Sequence, residues 1–335
     1  MLYPLTFSPI LKPILWGGNK ICHFKEITPI QDGIGESWEV SHVKNNISTV
    51  ANGPLKGKSL DDLIETYSSD LLGKKVYKRF GKSFPLLIKF IDAKDALSIQ
   101  VHPNDKLAKE RHNSFGKTEM WYVIDATPGA FLYSGFAKQL TPEGYVKSVE
   151  DNSFTNMLAK HDVHPGDVFF LPAGRVHAIG AGCFIAEIQQ TSDITYRIYD
   201  YNRKDAQGNS RELHTELAKD AIDYKIYPDY KLKYAPTSNT IQPLIDCPYF
   251  TTRLINIGAN TIRPNNEDKT IDLNDRDSFS IYICMQGKLS VTDNLENSIV
   301  IHQGQTVLIP ATTQYITLKP ANKCKLLETF LSKSI

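Results

Sequence analysis

The sequence predicts a mainly β protein of two β-barrel domains with a few short helices, and three observations lead there. Tyr, Phe, Ile and Val are spread through many short apolar runs punctuated by Gly, Pro, Asn and Asp, which suits strands better than long helices. A chain of 335 residues is long enough for two cores of ordinary size. One frame also occurs twice. Residues 166–177 (Gly-Asp-Val-Phe-Phe-Leu-Pro-Ala-Gly-Arg-Val-His) form a glycine turn, an apolar strand and a Pro-x-Gly corner, and residues 304–315 repeat the interval from glycine to proline.

In chain order, the first helix candidate starts at Ser59, an N-cap followed by Asp61 and Asp62 in the first turn, with Leu60, Leu63 and Ile64 on one face. Strands are expected at 84–91, 120–124, 168–171 and 183–188, and shorter helices at 104–112 and 212–223. Residues 229–239, with Pro236, Thr237 and Ser238, read as a connection between domains. The expected division is a catalytic, metal-binding barrel with helical insertions over 1–235 and a degenerate barrel without metal over 236–335. Strands at 279–285 and 306–309 belong to the second, where Thr312 replaces Gly174 and Tyr315 replaces His177.

Bulk properties narrow the function. Lys+Arg of 38 against Asp+Glu of 37 leaves a net charge of +1, which provides no basic field for nucleic acid. Cys22, Cys183, Cys247, Cys284 and Cys324 are scattered and odd in number, the pattern of buried free thiols in a reducing compartment. The first residues lack a basic segment and are interrupted by Pro4, Pro9 and Pro13, so neither a signal peptide nor a membrane span is expected. Cytoplasmic residence is the resulting expectation; oligomeric state is not legible.

The 166–177 frame resembles the second signature motif of cupins, small β-barrels that hold a metal inside, which makes His177 a candidate ligand. Upstream, strand alternation puts Ser98, Gln100 and His102 on one face and Leu97, Ile99 and Val101 on the other. On a half-exposed strand the polar face would meet water; inside a barrel that also carries His177 it converges on a metal. Glu119, opening an aromatic β-favouring run, supplies a carboxylate, with Lys117 two residues earlier on the same face. The usual first cupin motif has H-x-H closely followed by the glutamate. Here Gln100 stands for the first histidine, and residues 103–117 intervene.

Ser-Ile-Gln-Val-His-Pro-Asn-Asp from 98, Gly-Lys-Thr-Glu-Met-Trp-Tyr from 116, Pro-Ala-Gly-Arg-Val-His-Ala-Ile from 172 and Gln-Gln-Thr-Ser-Asp-Ile-Thr-Tyr-Arg-Ile-Tyr-Asp-Tyr from 189 together resemble type I mannose-6-phosphate isomerase (phosphomannose isomerase) in its shorter bacterial form. The resemblance extends to Leu15-Trp16-Gly17-Gly18 and Glu36-Ser37-Trp38-Glu39, and so covers nearly the whole chain in order. It implies one zinc per chain, held by Gln100, His102, Glu119 and His177, with Arg197 as the active-site arginine. It further implies Trp16, Lys89, Ser98, Lys117 and Asp193 as members of a sugar-phosphate pocket.

The implied reaction is aldose–ketose isomerisation of mannose 6-phosphate and fructose 6-phosphate through a cis-enediol, which needs stabilised oxyanions and an acid/base group over C1 and C2. Arg197 holds its proton too tightly to be that base. Lys117, Glu187 and a zinc-bound hydroxide remain open for the role. Ser98 with Lys89 or Arg203 is the candidate phosphate anchor. Two other readings use the same residues. His102, Glu119 and His177 also make a two-histidine, one-carboxylate set of the kind found in non-haem iron oxygenases, although Gln100 would fill a position such sites keep open. A non-catalytic sugar-binding cupin would keep the barrel, but mere binding does not require all four ligand types together with Arg197.

Overall fold

In the computed structural model, which describes residues 1–204, 207–237, 239–258 and 268–332, the first barrel is built from two antiparallel sheets. One runs in the order Val168–Leu171, Glu119–Ala126, Cys183–Gln190, Leu86–Ala93, Ile10–Gly18, Ile34–Val40. The other runs Leu158–Asp162, Phe131–Phe136, His177–Ile179, Ile99–Val101, Tyr196–Tyr199. Alternation along each strand sorts its side chains between an interior and an outer face. In Cys183–Gln190, Cys183 and Ile185 join an interior cluster with Ile91, Trp121, Val123, Phe169, Leu132 and Ile179, which binds the two sheets together. Phe184, Ala186 and Ile188 face the other way.

That other face is covered as well. Phe184, Ala186 and Ile188 belong to a cluster that includes Leu60, Leu63 and Ile64 of the helix after Ser59, and Phe250, Phe279, Ile281 and Leu327 of the second barrel. Covered on both faces, the strand is buried along its whole length. The second barrel pairs a six-stranded sheet (Leu5–Thr6, Thr306–Ile309, Ser280–Gln286, Cys324–Phe330, Thr251–Ile257, Ile241–Asp246) with a four-stranded one (Lys269–Asp272, Tyr315–Pro320, Lys288–Asp293, Ser298–His302). Leu5–Thr6 hydrogen-bonds to Thr306–Ile309, so the start of the chain contributes to the second barrel across the expected division at 235/236. Ser238 of the expected connection lies outside the described residues.

The helix Leu60–Tyr67 has the cap its sequence implies, with Asp62 completing a reciprocal box at Ser59. Asp105–His112 starts at Asn104. The helix expected over 212–223 is confined to Thr215–Ala221, because the residues before it hydrogen-bond along the Arg197 strand: His214 N–H donates to Arg197 O at 2.7 Å and Arg197 N–H to His214 Nδ1 at 3.1 Å. Pro142–Glu150 is a helix not foreseen, although Thr141 caps it and Pro142 occupies its first turn.

The two copies of the repeated frame part at their corners. Gly174 takes φ +93°, the left-handed region, and a Cβ there would meet Ala221 O at 3.0 Å. Thr312 does not take a left-handed φ. After the corner, His177 stands opposite Gln100 in the first barrel, both toward the interior. In the second, Ile316 stands opposite Ile271 inside the core, while Tyr315 is 40 % exposed. The expected replacement of His177 by Tyr315 therefore holds in the sequence frame only; Ile316 takes the inward position.

Candidate metal centre and adjoining cavity

The buried side chains His102, Glu119 and His177 each bring one ligand atom within 4.8 Å of the others. Each comes from a different strand or its end. His102 follows Ile99–Val101, Glu119 opens Glu119–Ala126, and His177 opens His177–Ile179. Backbone hydrogen bonds lock these three starts together: Gly174 N–H donates to His102 O at 2.9 Å and Lys117 N–H to Pro103 O at 3.2 Å. Thr118 Oγ1 accepts from Ala173 N–H at 3.2 Å, and Gln190 Oε1 accepts from Thr118 N–H at 2.9 Å.

Both imidazoles are oriented by backbone. Nδ1 of His102 lies 2.8 Å from Ile194 O and Nδ1 of His177 lies 2.8 Å from Arg175 O. A proton on each Nδ1 leaves the Nε2 lone pairs turned toward Glu119, at 3.6 Å for His102 and 3.2 Å for His177. Burial, with Lys117 nearby, holds His177 down at about 3 and His102 well below its ordinary value, so both are neutral. Gln100 Nε2 is 3.3 Å from His177 Nε2, which puts its side-chain amide at the same point.

The donors fit a cation. Glu119 Oε1 is buried with no hydrogen-bond donor, a costly state for a carboxylate oxygen. Burial pushes the Glu119 carboxyl up to about 7, against the pull of the Lys117 ammonium. Lys117 Nζ contacts Glu119 Oε2 and lies 3.1 Å from His102 Nε2, so positive charge already gathers on two of the ligand atoms. Two neutral imidazoles, one carboxylate and an amide make a nitrogen and oxygen donor set of the kind that holds zinc and other divalent ions.

A cavity of about 220 Å³ opens beside this cluster. Trp16, Lys89, Ser98, Gln100, Lys117, Glu187, Asp193 and Arg197, all singled out in the sequence, line it. Trp16 packs against Gly35, where a Cβ would come within 2.7 Å of the indole. Lys89 lies between Glu187 at 3.4 Å and Glu36 at 3.6 Å; burial would lower its pKa, but the two carboxylates outweigh burial and raise it. Burial would raise Glu187, but Lys117 and Lys89 hold it below the usual carboxylate range. Glu187 Oε2 accepts from Trp121 Nε1 at 2.8 Å, and its Oε1 has no hydrogen-bond donor.

A model of the family "Phosphomannose isomerase type I, catalytic domain" matches residues 6–123, which include Gln100, His102, Lys117 and Glu119. The mannose-6-phosphate isomerase ManA of Bacillus subtilis is 38 % identical over 259 residues, covering 76 % of this chain and 80 % of the relative. The chain belongs to the type I phosphomannose isomerases. A mannose-6-phosphate isomerase of Streptococcus mutans is 39 % identical over 66 % of this chain and 68 % of the relative. The crystal structure of a B. subtilis mannose 6-phosphate isomerase superposes with a TM-score of 0.84 at 28 % identity, over 98 % of this chain and 99 % of that one. Together these give this chain the cupin fold of the phosphomannose isomerases.

Within this phosphomannose isomerase cavity several lining residues were not singled out from the sequence: Arg211, Glu36, Trp38, Trp121 and Thr195. Glu36 and Trp38 sit in a segment that carried the resemblance, and Trp121 in the run opened by Glu119, so proximity in sequence was the available signal. Arg211 had none. It reaches the cavity because Asp200, buried after the Arg197 strand, accepts its Nε at 2.6 Å and its Nη2 at 2.5 Å. Arg203 also bonds Asp200 and donates to Ala96 O at 2.6 Å, and it does not line the cavity. Arg197 donates Nη1 to Glu212 O at 2.9 Å, while its Nε is buried without an acceptor. Burial and the neighbouring Arg211 lower its pKa.

Proposed function

We propose that this protein interconverts mannose 6-phosphate and fructose 6-phosphate at this cavity, with one zinc ion held by Gln100, His102, Glu119 and His177. The observation that carries the reading is the buried, donorless Glu119 Oε1 between two neutral imidazoles, beside a cavity lined by Gln100, Lys117 and Arg197. When bound, zinc supplies Lewis acidity toward sugar oxygens, and with one carboxylate among neutral ligands the site keeps a formal charge of about +1.

The chain's own residues supply the rest. Isomerisation removes a proton from C2 of the aldose, passes through a cis-enediol and returns a proton to C1. Lys117 and Glu187 are the side chains in the cavity suited to carry that proton, with Glu187 Oε1 3.4 Å from the Lys89 ammonium. Arg197 stays cationic at the cavity wall and stabilises developing negative charge on oxygen. Arg211 and Arg197, facing the same space, suit the phosphate end better than Lys89, whose charge Glu36 and Glu187 already neutralise. Trp16 and Trp121 wall off water on the apolar side.

Residues 236–335 are proposed as a second barrel without a metal, bracing the first through the shared apolar cluster. Among the described residues no helix is long and apolar enough to cross a membrane. The test of the reading is a coupled assay for conversion of mannose 6-phosphate, run with and without chelator. Mannose lacking the phosphate should show a much higher KM, and equal efficiency on the free sugar would contradict the phosphate assignment.

A further inference from the structure

The second barrel repeats the polar core of the first at the same register. In the first, Lys89 stands opposite Glu187, and Glu187 opposite Trp121. In the second, Arg253 stands opposite Glu328, and Glu328 opposite Tyr282. The contacts match: Arg253 Nε donates to Glu328 Oε2 at 2.7 Å and Tyr282 OH to Glu328 Oε1 at 2.5 Å. A cavity of about 540 Å³ opens beside Arg253, as the first cavity does beside Lys89.

Its chemistry differs by one added cation. Arg276 also donates to Glu328 Oε1, at 2.5 Å, so two guanidiniums share one fully buried carboxylate at the floor, while Asp246, Asp272 and Asp275 line the cavity around them. Among the described residues no hydrogen bond uses Nη1 of Arg253 or Nη2 of Arg276. Both guanidiniums lie against the Phe330 ring, which fixes them as a pair. Around the rim, Asp246 and Asp272 each use Oδ1 in local hydrogen bonds, to Thr251 and to Asn274, and Thr270 is exposed. Cationic depth with carboxylate and hydroxyl rim matches a polyhydroxylated anion: the anionic end meets the guanidiniums and the hydroxyls donate to the rim carboxylates.

We propose that this cavity is a second, non-catalytic binding site for a sugar phosphate. The choice of ligand rests on the isomerase reading above; the cavity's preference for a polyhydroxylated anion does not. The test is equilibrium dialysis of the zinc-loaded full chain against radiolabelled fructose 6-phosphate, comparing the wild type with Thr270→Trp, which fills the rim from an exposed position. The expected result is one bound equivalent fewer in T270W with turnover unchanged, and Asp272→Tyr at the same rim should repeat it. Equal stoichiometry in wild type and variants overturns the proposal. Turnover on the same samples reports on the isomerase reading separately: an inactive wild type that still loses one equivalent in T270W would sink that reading and leave the second site standing.

Discussion

The two barrels of this chain share a strand plan and a buried acid–base–aromatic set, yet their interiors differ where the first gathers its metal-type donors. Register places Ile271 and Ile316 in the second barrel where Gln100 and His177 face each other in the first. Leu273, two residues beyond Ile271, is in the apolar core where the first strand brings His102. Leu171 pairs with Glu119, and its counterpart Ile309 pairs with Ser280. One donor position has thus become a small hydroxyl and three have become aliphatic. The Glu187 set nevertheless recurs around Glu328, so a buried carboxylate between a cation and an aromatic donor belongs to the barrel plan and does not need a metal beside it.

The largest expected effect separates the barrels most sharply. His177→Ala should remove bound metal and reduce turnover to background, read by elemental analysis and the coupled assay. Ile316→Ala, at the matching inward position, should cost about 2–5 kcal/mol of stability in a denaturant titration while leaving turnover per folded chain intact. Metal loss or inactivity in folded I316A would break the contrast.

Glu328→Ala leaves the fully buried Tyr282 hydroxyl and two partly exposed guanidiniums without their carboxylate, so a destabilisation of about 1–3 kcal/mol is expected, again with activity retained in the folded fraction. Arg197→Ala acts in the opposite sense. Turnover should fall by about 10²–10³-fold with metal content unchanged, since a cation lining the cavity is lost while the metal-type donors stay in place. Full activity in that variant would remove Arg197 from the proposed chemistry.

The smallest effect concerns the corners. Gly174→Ala forces a side chain into the left-handed region and toward Ala221 O, for a cost of about 1–2 kcal/mol. Thr312→Gly, at a corner that does not need that conformation, should change stability by at most about 1 kcal/mol. Equal effects at the two corners would show that the glycine is not what separates the strand faces that follow.

Much of this was legible in the sequence, for physical reasons that vary by element. The strand Val168–Leu171 is delimited by its own glycine and proline, and Thr306–Ile309 likewise. Ser98, Gln100 and His102 share a face because strand alternation is local. The convergence of Glu119 on His102 and His177 was not local, and it depended on the resemblance to fix which carboxylate came in. Leu97 shows the limit: alternation groups it with Ile99 and Val101, but the strand starts only at Ile99, and Leu97 packs with the interior cluster. Arg211 was missed because Asp200 draws it to the cavity through a side-chain contact that no spacing encodes. The inward turn of Ile316 in place of Tyr315 was missed because a motif aligned by its glycine and proline does not show the backbone angle of the corner between them.

The central claim is that the donors gathered in the first barrel serve a metal-dependent isomerase. The most direct measurement is the rate at which purified protein converts mannose 6-phosphate to fructose 6-phosphate, before chelation, after chelation, and after zinc is restored. The account predicts activity that is lost with the metal and recovered with stoichiometric zinc. Undiminished turnover in protein verified to be free of metal, or no turnover in the fully zinc-loaded chain, would contradict it.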